Sequence, residues 1–499
     1  MNARLLLADK LVLGAYFLAV LALGMYFRKR SSTPSGFMIA SGRLPGWAVG
    51  LSILGTFVSS VTFLAYPGQA YNSNWDAFVF SLTLPPAALA ATLFFIPLYR
   101  SKVKVSAYEY MEKRFGTWAR VYGSLSFMFG SLARVGMILF LVSLVLHSLT
   151  GWSHASIILA TGIGVTLYTM TGGIEAVIWT DVVQVIILVG GALFAVVLLV
   201  ADVPGGIPGI LEIGSASGKF SLGSWRFDLA LPTAWVVLLF GIVENLRNFG
   251  VDQNYVQRYQ TTRTRAEAVR SVWFAALAYI PLSLLFLFIG TALFAFYRVH
   301  PELLPQALRG ASAGDKIFPH FIATQFPAGL RGILVAALMA AAMSSIDSSL
   351  NCVSSLTLLD FYKKFFRPGA DDRKSIRLLR LYTLLWGVLG TAAGLAMIQV
   401  QSALETTWQL GGIAGGGVIG LFLLGLLFKG ARSRHAAAAV AASVAVIAWA
   451  TFARDLPQGM TWMECPWNPR LIAVVGTVAL LGVGIPPALL NSLFSRKRT

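Results

Sequence analysis

A chain of 499 residues that is 57% hydrophobic, only 12% charged and carries a net charge of +18 cannot be an ordinary soluble protein, because soluble domains run near a quarter charged. Its apolar residues form uninterrupted stretches of about twenty, the length that crosses a bilayer as a helix. Barrel strands are excluded, since they would alternate over about ten residues.

In chain order these stretches predict about thirteen transmembrane helices, near 11–27, 46–66, 77–99, 121–147, 155–171, 177–202, 232–250, 271–297, 330–358, 379–399, 405–428, 435–453 and 471–491. The first is followed by Arg28, Lys29 and Arg30 and lacks a small-residue cleavage site, which predicts a retained helix and not a leader. No soluble domain is expected, only two long polar loops at 203–231 and 298–329. No P-loop spacing occurs, so ATP is not expected as the energy source.

The basic charge is patterned. With the N-terminus outside, segments 28–43, 100–120, 258–270, 360–380, 429–434 and 496–498 fall on one side and hold 27 of the 39 Lys and Arg residues. That asymmetry marks the cytoplasmic face and places the C-terminus there. A nucleic-acid surface would cluster on one element, so no nucleic-acid partner is expected. Cys352 and Cys465 fall on opposite sides of the membrane, which argues against a disulfide.

Several spans carry residues that a purely lipid-facing helix has no use for. The second holds Gly50, Gly55, Ser59, Ser60 and Thr62 at mid-bilayer depth. The seventh holds Glu244, Asn245, Arg247, Asn248 and Gly250. Each opens a run of five helices, 2–6 and 7–11, and interrupted helices at matching places in two halves are the trace of an inverted-repeat transporter. Close helix packing by small residues is the competing reading. In the fourth span Arg134 lies about 20 Å along the axis from the cytoplasmic end, too deep to snorkel, so an anionic solute or an ion pair with Glu244 or Asp347 must satisfy it. Asp181, opening the sixth span, suits either an ion ligand or a helix cap.

The ninth span is the most informative. Ala341, Ser344, Ser345 and Ser348 stand at i, i+3, i+4 and i+7, on one helix face. Hydroxyl and freed carbonyl oxygens are what a small hard cation needs once stripped of water. Asp347 at this depth costs about 3 kcal/mol without a partner.

Gly46 to Tyr71, Gly172 to Asp181, Asp252 to Tyr259 and the serine-rich ninth span together resemble the sodium/solute symporter family, and within it the bacterial sodium/sialic acid symporters. The resemblance covers essentially the whole chain. It implies a multi-pass, monomeric protein of the bacterial inner (plasma) membrane, all-α, with a LeuT-like core of two inverted five-helix repeats (46–202 and 232–428), one leading helix (11–27) and two trailing ones (435–491). It implies sodium-coupled import of a small organic anion, with one or two sodium ions and no catalysis. By the same resemblance the first sodium falls on Gly55, Val58, Ala341, Ser344 and Ser345, and the second on Asp181, Ser344, Asp347 and Ser348. The solute falls by Phe57, Ser59, Thr62, Ser81, Arg134, Asn245 and Phe249.

Departures from the sialic acid pattern stand at Phe57 for a threonine, Ser81 for a glutamine and Asp347 for a serine. Arg134 favours a carboxylated solute, whereas Asn245 matches a sugar-contacting asparagine and keeps a sodium/sugar or sodium/inositol carrier as the alternative. An ion channel would need a repeated filter, and a membrane enzyme a nucleophile–base pair. Neither pattern appears.

Overall fold

The computed structural model describes residues 6–58, 60–310, 314–399, 403–453, 460 and 463–496, with side chains described except at 60–61, 148–149, 403–414 and 494–496. Almost all of it is helix, because a chain in hydrocarbon must satisfy every backbone donor and acceptor within its own segment. The only β feature among the described residues is an isolated bridge between Leu44 and Thr262.

The helices that position the site are α1 (Leu7–Phe27), α2 (Gly46–Phe57), α3 (Ser60–Asn72), α4 (Phe78–Lys102), α5 (Thr117–Thr150), α6 (His154–Asp202) and α7 (Ala234–Val251). They continue as α8 (Gln253–Thr261), α9 (Arg265–Val299), α10 (Leu330–Leu356), α11 (Asp372–Ala396), α12 (Ala403–Leu427), α13 (Ser433–Phe452) and α14 (Ile472–Arg496). Among the described residues ten helices are long and apolar enough to cross a membrane, and the bent pair α2–α3 brings the number to as many as eleven. Residues 155–171 and 177–202, expected as two spans, fall in the single helix α6, and in α12 a shorter apolar stretch runs over Gly415–Leu427.

The expected division of α6 has a clear physical basis. The 49 residues of α6 would extend about 74 Å if straight, more than twice the hydrocarbon thickness. Its helical geometry fails at one residue, Gly173, with φ 61° and ψ −162°. A Cβ there would lie 2.9 Å from the carbonyl oxygen of Phe37, so both torsion and space require glycine. The expected loop between spans 155–171 and 177–202 is thus a single residue.

Burial grades the helices. The most apolar stretch of α1 is 28% buried by protein, so it faces lipid, whereas that of α10 and its continuation is 94% buried. From Leu334 to Leu356 every residue of α10 is buried. It is the central post of the fold, and its polar residues can be satisfied only by protein or by a bound ligand.

The start of α10 has no side-chain cap of its own. Asp9 of α1 supplies one across the fold: its Oδ1 accepts from the backbone N–H groups of Gly329 at 2.8 Å and Gly332 at 2.9 Å, where the helix dipole favours a negative charge. Asp9→Ala would strand two backbone donors, that of Gly332 buried, and is expected to cost about 2 kcal/mol, read as a lower melting temperature in detergent. An unshifted melting temperature would show that the cap is dispensable.

The basic side is not uniformly solvated. Arg30 and Arg43 hold the buried Glu175 at 3.0 and 2.7 Å. Arg120 holds Asp360 at 2.5 Å and Glu112 at 2.7 Å. One expected cytoplasmic charge is misplaced altogether. Arg258, assigned to a loop at 258–270, lies on α8, all nine residues of which are buried.

Candidate functional site

Two chain breaks organise the site. The axis bends by 51° between Gly46–Phe57 and Thr62–Asn72, and Val58 at the break has φ −83° and ψ 81°, so carbonyls near the end of α2 are released from helical pairing. The second break is at Asp252, between α7 and α8, with φ −74° and ψ 123°. Its side chain caps α8 by accepting from the N–H of Asn254 at 2.9 Å. The expected interruption within 244–250 is therefore displaced: α7 runs unbroken through those residues, and the chain turns immediately after them.

Beside the first break runs α10. The Ser344 hydroxyl is within 3.1 Å of both the Gly55 and Ala341 carbonyl oxygens. The Ser345 hydroxyl is buried with no hydrogen-bond partner. Three of the five residues expected around the first sodium, Gly55, Ala341 and Ser344, are thus in direct contact, with Val58 at the break itself. The orphaned Ser345 oxygen fits a cation that would supply its missing partner, since a buried hydroxyl left unpaired is costly. Glycine at 55 permits the approach: a Cβ would meet Val185 of α6 at 3.0 Å.

A second polar cluster lies where α2, α6, α8 and α10 meet. Asp181 is eight residues beyond Gly173, inside α6 and fully buried. Its carboxylate faces side chains instead of helix-end N–H groups, so it is no cap. Its Oδ2 accepts from Ser52 at 2.5 Å and from Arg258 Nη2 at 2.9 Å, while Oδ1 has no partner. The Arg258 guanidinium also donates to the Ser52 hydroxyl at 2.8 Å, the Asn254 carbonyl at 2.7 Å and the Ser348 hydroxyl at 2.6 Å. Ser348 in turn donates to the Ser344 carbonyl at 2.6 Å and lies 3.3 Å from Asp347 Oδ1. Tyr168 donates to Asp347 Oδ2 at 2.5 Å. The four residues expected around a second sodium are consequently neighbours, with a guanidinium that sequence reasoning missed bridging two of them. Two carboxyl groups and one guanidinium thus share this buried cluster. Its only sequence signal was a polar nonapeptide without Gly or Pro between two apolar spans.

A cavity of about 390 Å³ opens between α2, α3, α5 and α7, lined by Phe57, Thr62, Tyr66, Gln69, Arg134, Glu244, Asn248, Tyr255, Tyr279, Ser345 and Arg470 among others. Of the expected solute residues, Phe57, Thr62 and Arg134 line it. Ser59 lies outside the described residues. Ser81 is buried away from the wall. Asn245 is fully buried and donates to Thr83 at 2.8 Å and to the Phe80 carbonyl at 3.3 Å, so it serves α4. Asn248, nearly one turn further, faces the cavity instead. Phe249 forms a layer behind the wall, its ring 5.2 Å from that of Phe57. The wall is largely aromatic: Tyr255 and Tyr279 lie 4.8 and 5.7 Å from Phe57, and the Tyr279 hydroxyl donates to Tyr66 at 3.2 Å. Tyrosines within apolar spans carry no sequence signature that separates wall from core.

Neither ion-pair partner considered for Arg134 holds it. Glu244 binds Arg247 through two hydrogen bonds of 2.9 and 2.5 Å, and Asp347 binds Tyr168. The Arg134 guanidinium lies 3.6 Å from Asp252, a Coulombic contact too long for a hydrogen bond, so its donor fork remains able to grip a carboxylate.

Residues 37–442 match the profile of the "Sodium:solute symporter family". The sodium/sialic acid symporter SiaT of Proteus mirabilis is 35% identical over 451 residues, covering 89% of this chain and 90% of its own length. The sodium/sialic acid symporter NanT of Aliivibrio fischeri is 33% identical over 480 residues, covering 95% and 91%. A substrate-bound, outward-open Na+-coupled sialic acid symporter superposes with a TM-score of 0.89 at 32% identity, over 97% of this chain and 98% of that one. A nucleobase-cation-symport-1 transporter in a closed conformation gives a TM-score of 0.60 at 14% identity over 93% and 96%, a likeness of fold alone.

Proposed function

Because this chain belongs to the sodium:solute symporter family, with the all-α, LeuT-like membrane fold its sequence implied, we propose that it imports a small carboxylated solute of the sialic acid type together with sodium, leaving the solute chemically unchanged. The observation that carries this reading is Ser345. Its unpartnered hydroxyl belongs to the cation cluster, and the same residue lines the cavity that holds Arg134.

In this reading the first sodium takes Gly55, Val58, Ala341, Ser344 and Ser345, tying the break after α2 to α10. The second takes Asp181, Ser344, Asp347 and Ser348, where a cation would sit between two carboxyl groups. The unpartnered Asp181 Oδ1 supports that site as the Ser345 hydroxyl supports the first. The carboxylate of the solute pairs with Arg134, and its remainder packs on Phe57, Thr62, Asn248, Tyr255 and Tyr279. Sodium closes one face of the cavity, so ion and solute each favour the conformation the other binds, a coupling worth about 1–3 kcal/mol in systems of this kind.

Two repeats at 46–202 and 232–428, one leading helix and two trailing ones are supported by the breaks after α2 and α7, which open corresponding halves. The basic loops support an external N-terminus, a cytoplasmic C-terminus and residence in the bacterial inner membrane. We take the working unit to be one chain. The sugar alternative rested on Asn245, whose amide nitrogen is engaged with Thr83 and which does not line the cavity.

Uptake of labelled sialic acid into proteoliposomes is expected only with inward sodium. Ser345→Ala should raise the sodium concentration for half-maximal uptake at least about tenfold, the loss of one liganding oxygen costing about 1.5–3 kcal/mol. Unaltered sodium affinity in that variant would move the ion elsewhere.

A further inference from the structure

Away from the solute cavity, α6 and α11 enclose an apolar groove of about 270 Å³ on the flank of the fold. Small residues make its floor: Gly162 packs on Thr391 and Gly387 on Thr166, so the two helices touch there. The hydroxyls of both threonines are taken up within their own helices. Thr166 donates to the Gly162 carbonyl at 2.7 Å and Thr391 to the Gly387 carbonyl at 2.8 Å. Ile163 and Val388, one from each wall, are 55% and 59% exposed, so nothing among the described residues covers the groove. From Leu384 to Leu395 it runs eleven residues, about 16 Å along the axis. That is about half of the roughly 30 Å of bilayer hydrocarbon, the depth of one leaflet.

The stripe of α11 that forms this wall continues, toward the basic side, into arginines. Arg380, Arg377 and Arg373 precede Leu384 by four, seven and eleven residues, which keeps them on one helix face. Arg28 ends α1. Phe37 and Met38 of the segment after it share an apolar cluster with Ile376 and Leu379 of α11, and the charge of Arg28 is near enough to act on Arg380. The positive-inside bias explains why basic residues gather on this side. It does not explain Arg380 Nε, which is buried with no hydrogen-bond partner. Like charges on one helix face repel, and an unbonded buried donor is costly. An anion relieves both.

We infer that the groove and these arginines form one binding site for an anionic phospholipid of the leaflet on the basic side, its phosphate on Arg380 with Arg28 and Arg377 and one acyl chain in the groove. A helix of a second copy would fill the groove and leave the guanidiniums without an anion. A free phosphate would do the reverse. The lipid serves both ends and ties α11 to α6.

Protein stripped of lipid and melted in mixed micelles of rising dioleoylphosphatidylglycerol content should show a saturable rise in melting temperature. Dioleoylphosphatidylcholine, with the same chains and no net charge, should need at least about fivefold more to match it. Glycerol 3-phosphate, an anionic headgroup without chains, should give no rise. Arg380→Gln should raise the half-saturating content of the anionic lipid about fivefold, the effect of one cation at a membrane surface. Val388→Trp, which fills the groove and leaves every charge in place, should abolish the rise. Equal responses to the two lipids, a glycerol 3-phosphate response matching the anionic lipid's, or parental half-saturation in both variants would overturn the inference. If Arg380→Gln does not fold, the exposed Arg377→Gln takes its place: a shift of similar size supports the site, and parental half-saturation overturns it. A lower molar mass of Val388→Trp by light scattering, with or without lipid, would assign the groove to a second copy instead.

Discussion

Arg134→Lys is expected to weaken binding of the carboxylated solute about 100-fold, since each hydrogen bond lost to a charged group costs about 1.5–3 kcal/mol. An ammonium keeps the charge but not the planar pair of donors that a carboxylate accepts side by side. Sodium binding without solute should be nearly unchanged, because no proposed ion ligand touches Arg134. Isothermal titration of the purified protein with sialic acid, and separately with sodium, measures both. The 3.6 Å contact with Asp252 defines the competing outcome. If Arg134→Lys unfolds and Asp252→Asn restores it, the arginine is a structural ion-pair partner and the solute is held elsewhere.

Arg258→Met should be the most damaging single change to stability. Arg258 and Asp181 are both fully buried, and breaking such a pair by removing one partner costs about 3–5 kcal/mol, because the remaining charge is left uncompensated. The loss reaches further than the pair, since Ser52, Ser348 and the Asn254 carbonyl lose their donor as well. Adding Asp181→Asn should recover much of the melting temperature by removing the stranded charge, while sodium dependence stays impaired. A single variant that melts with the parent would mean that α8 is held by its other contacts, such as Gln257 to the Met38 carbonyl at 2.5 Å.

These two arginines also mark the reach of sequence reasoning. Arg134 stood out because hydropathy placed a charge too deep to escape, a conclusion that needs only a length and a rise per residue. The same rule failed for Arg258. Its neighbours Gln253, Asn254, Gln257 and Gln260 are polar, so the segment has the composition of a cytoplasmic loop, yet backbone groups of distant elements satisfy its glutamines. Composition reports what a residue needs and not who supplies it. The break after α2 was legible in Gly55 and the serines, and the serine face of α10 in its spacing. The cavity wall was not: Asn245 and Asn248 are equally polar, and only packing decides which meets Thr83 and which lines the cavity. Asp9 gave no signal because the helix it caps begins some 320 positions later.

The single-residue joint at Gly173 leaves the two halves of α6 without slack. A loop of several residues would absorb a tilt of one half and leave the other at rest. Here every relative movement must pass through two torsions of one glycine, so the halves behave as the arms of an elbow. Asp181 lies eight residues along one arm, about 12 Å from the pivot. The two arms thus reach the Asp347–Ser348 stretch of α10 from either side of that pivot, one directly through Tyr168 and the other from Asp181 through Arg258.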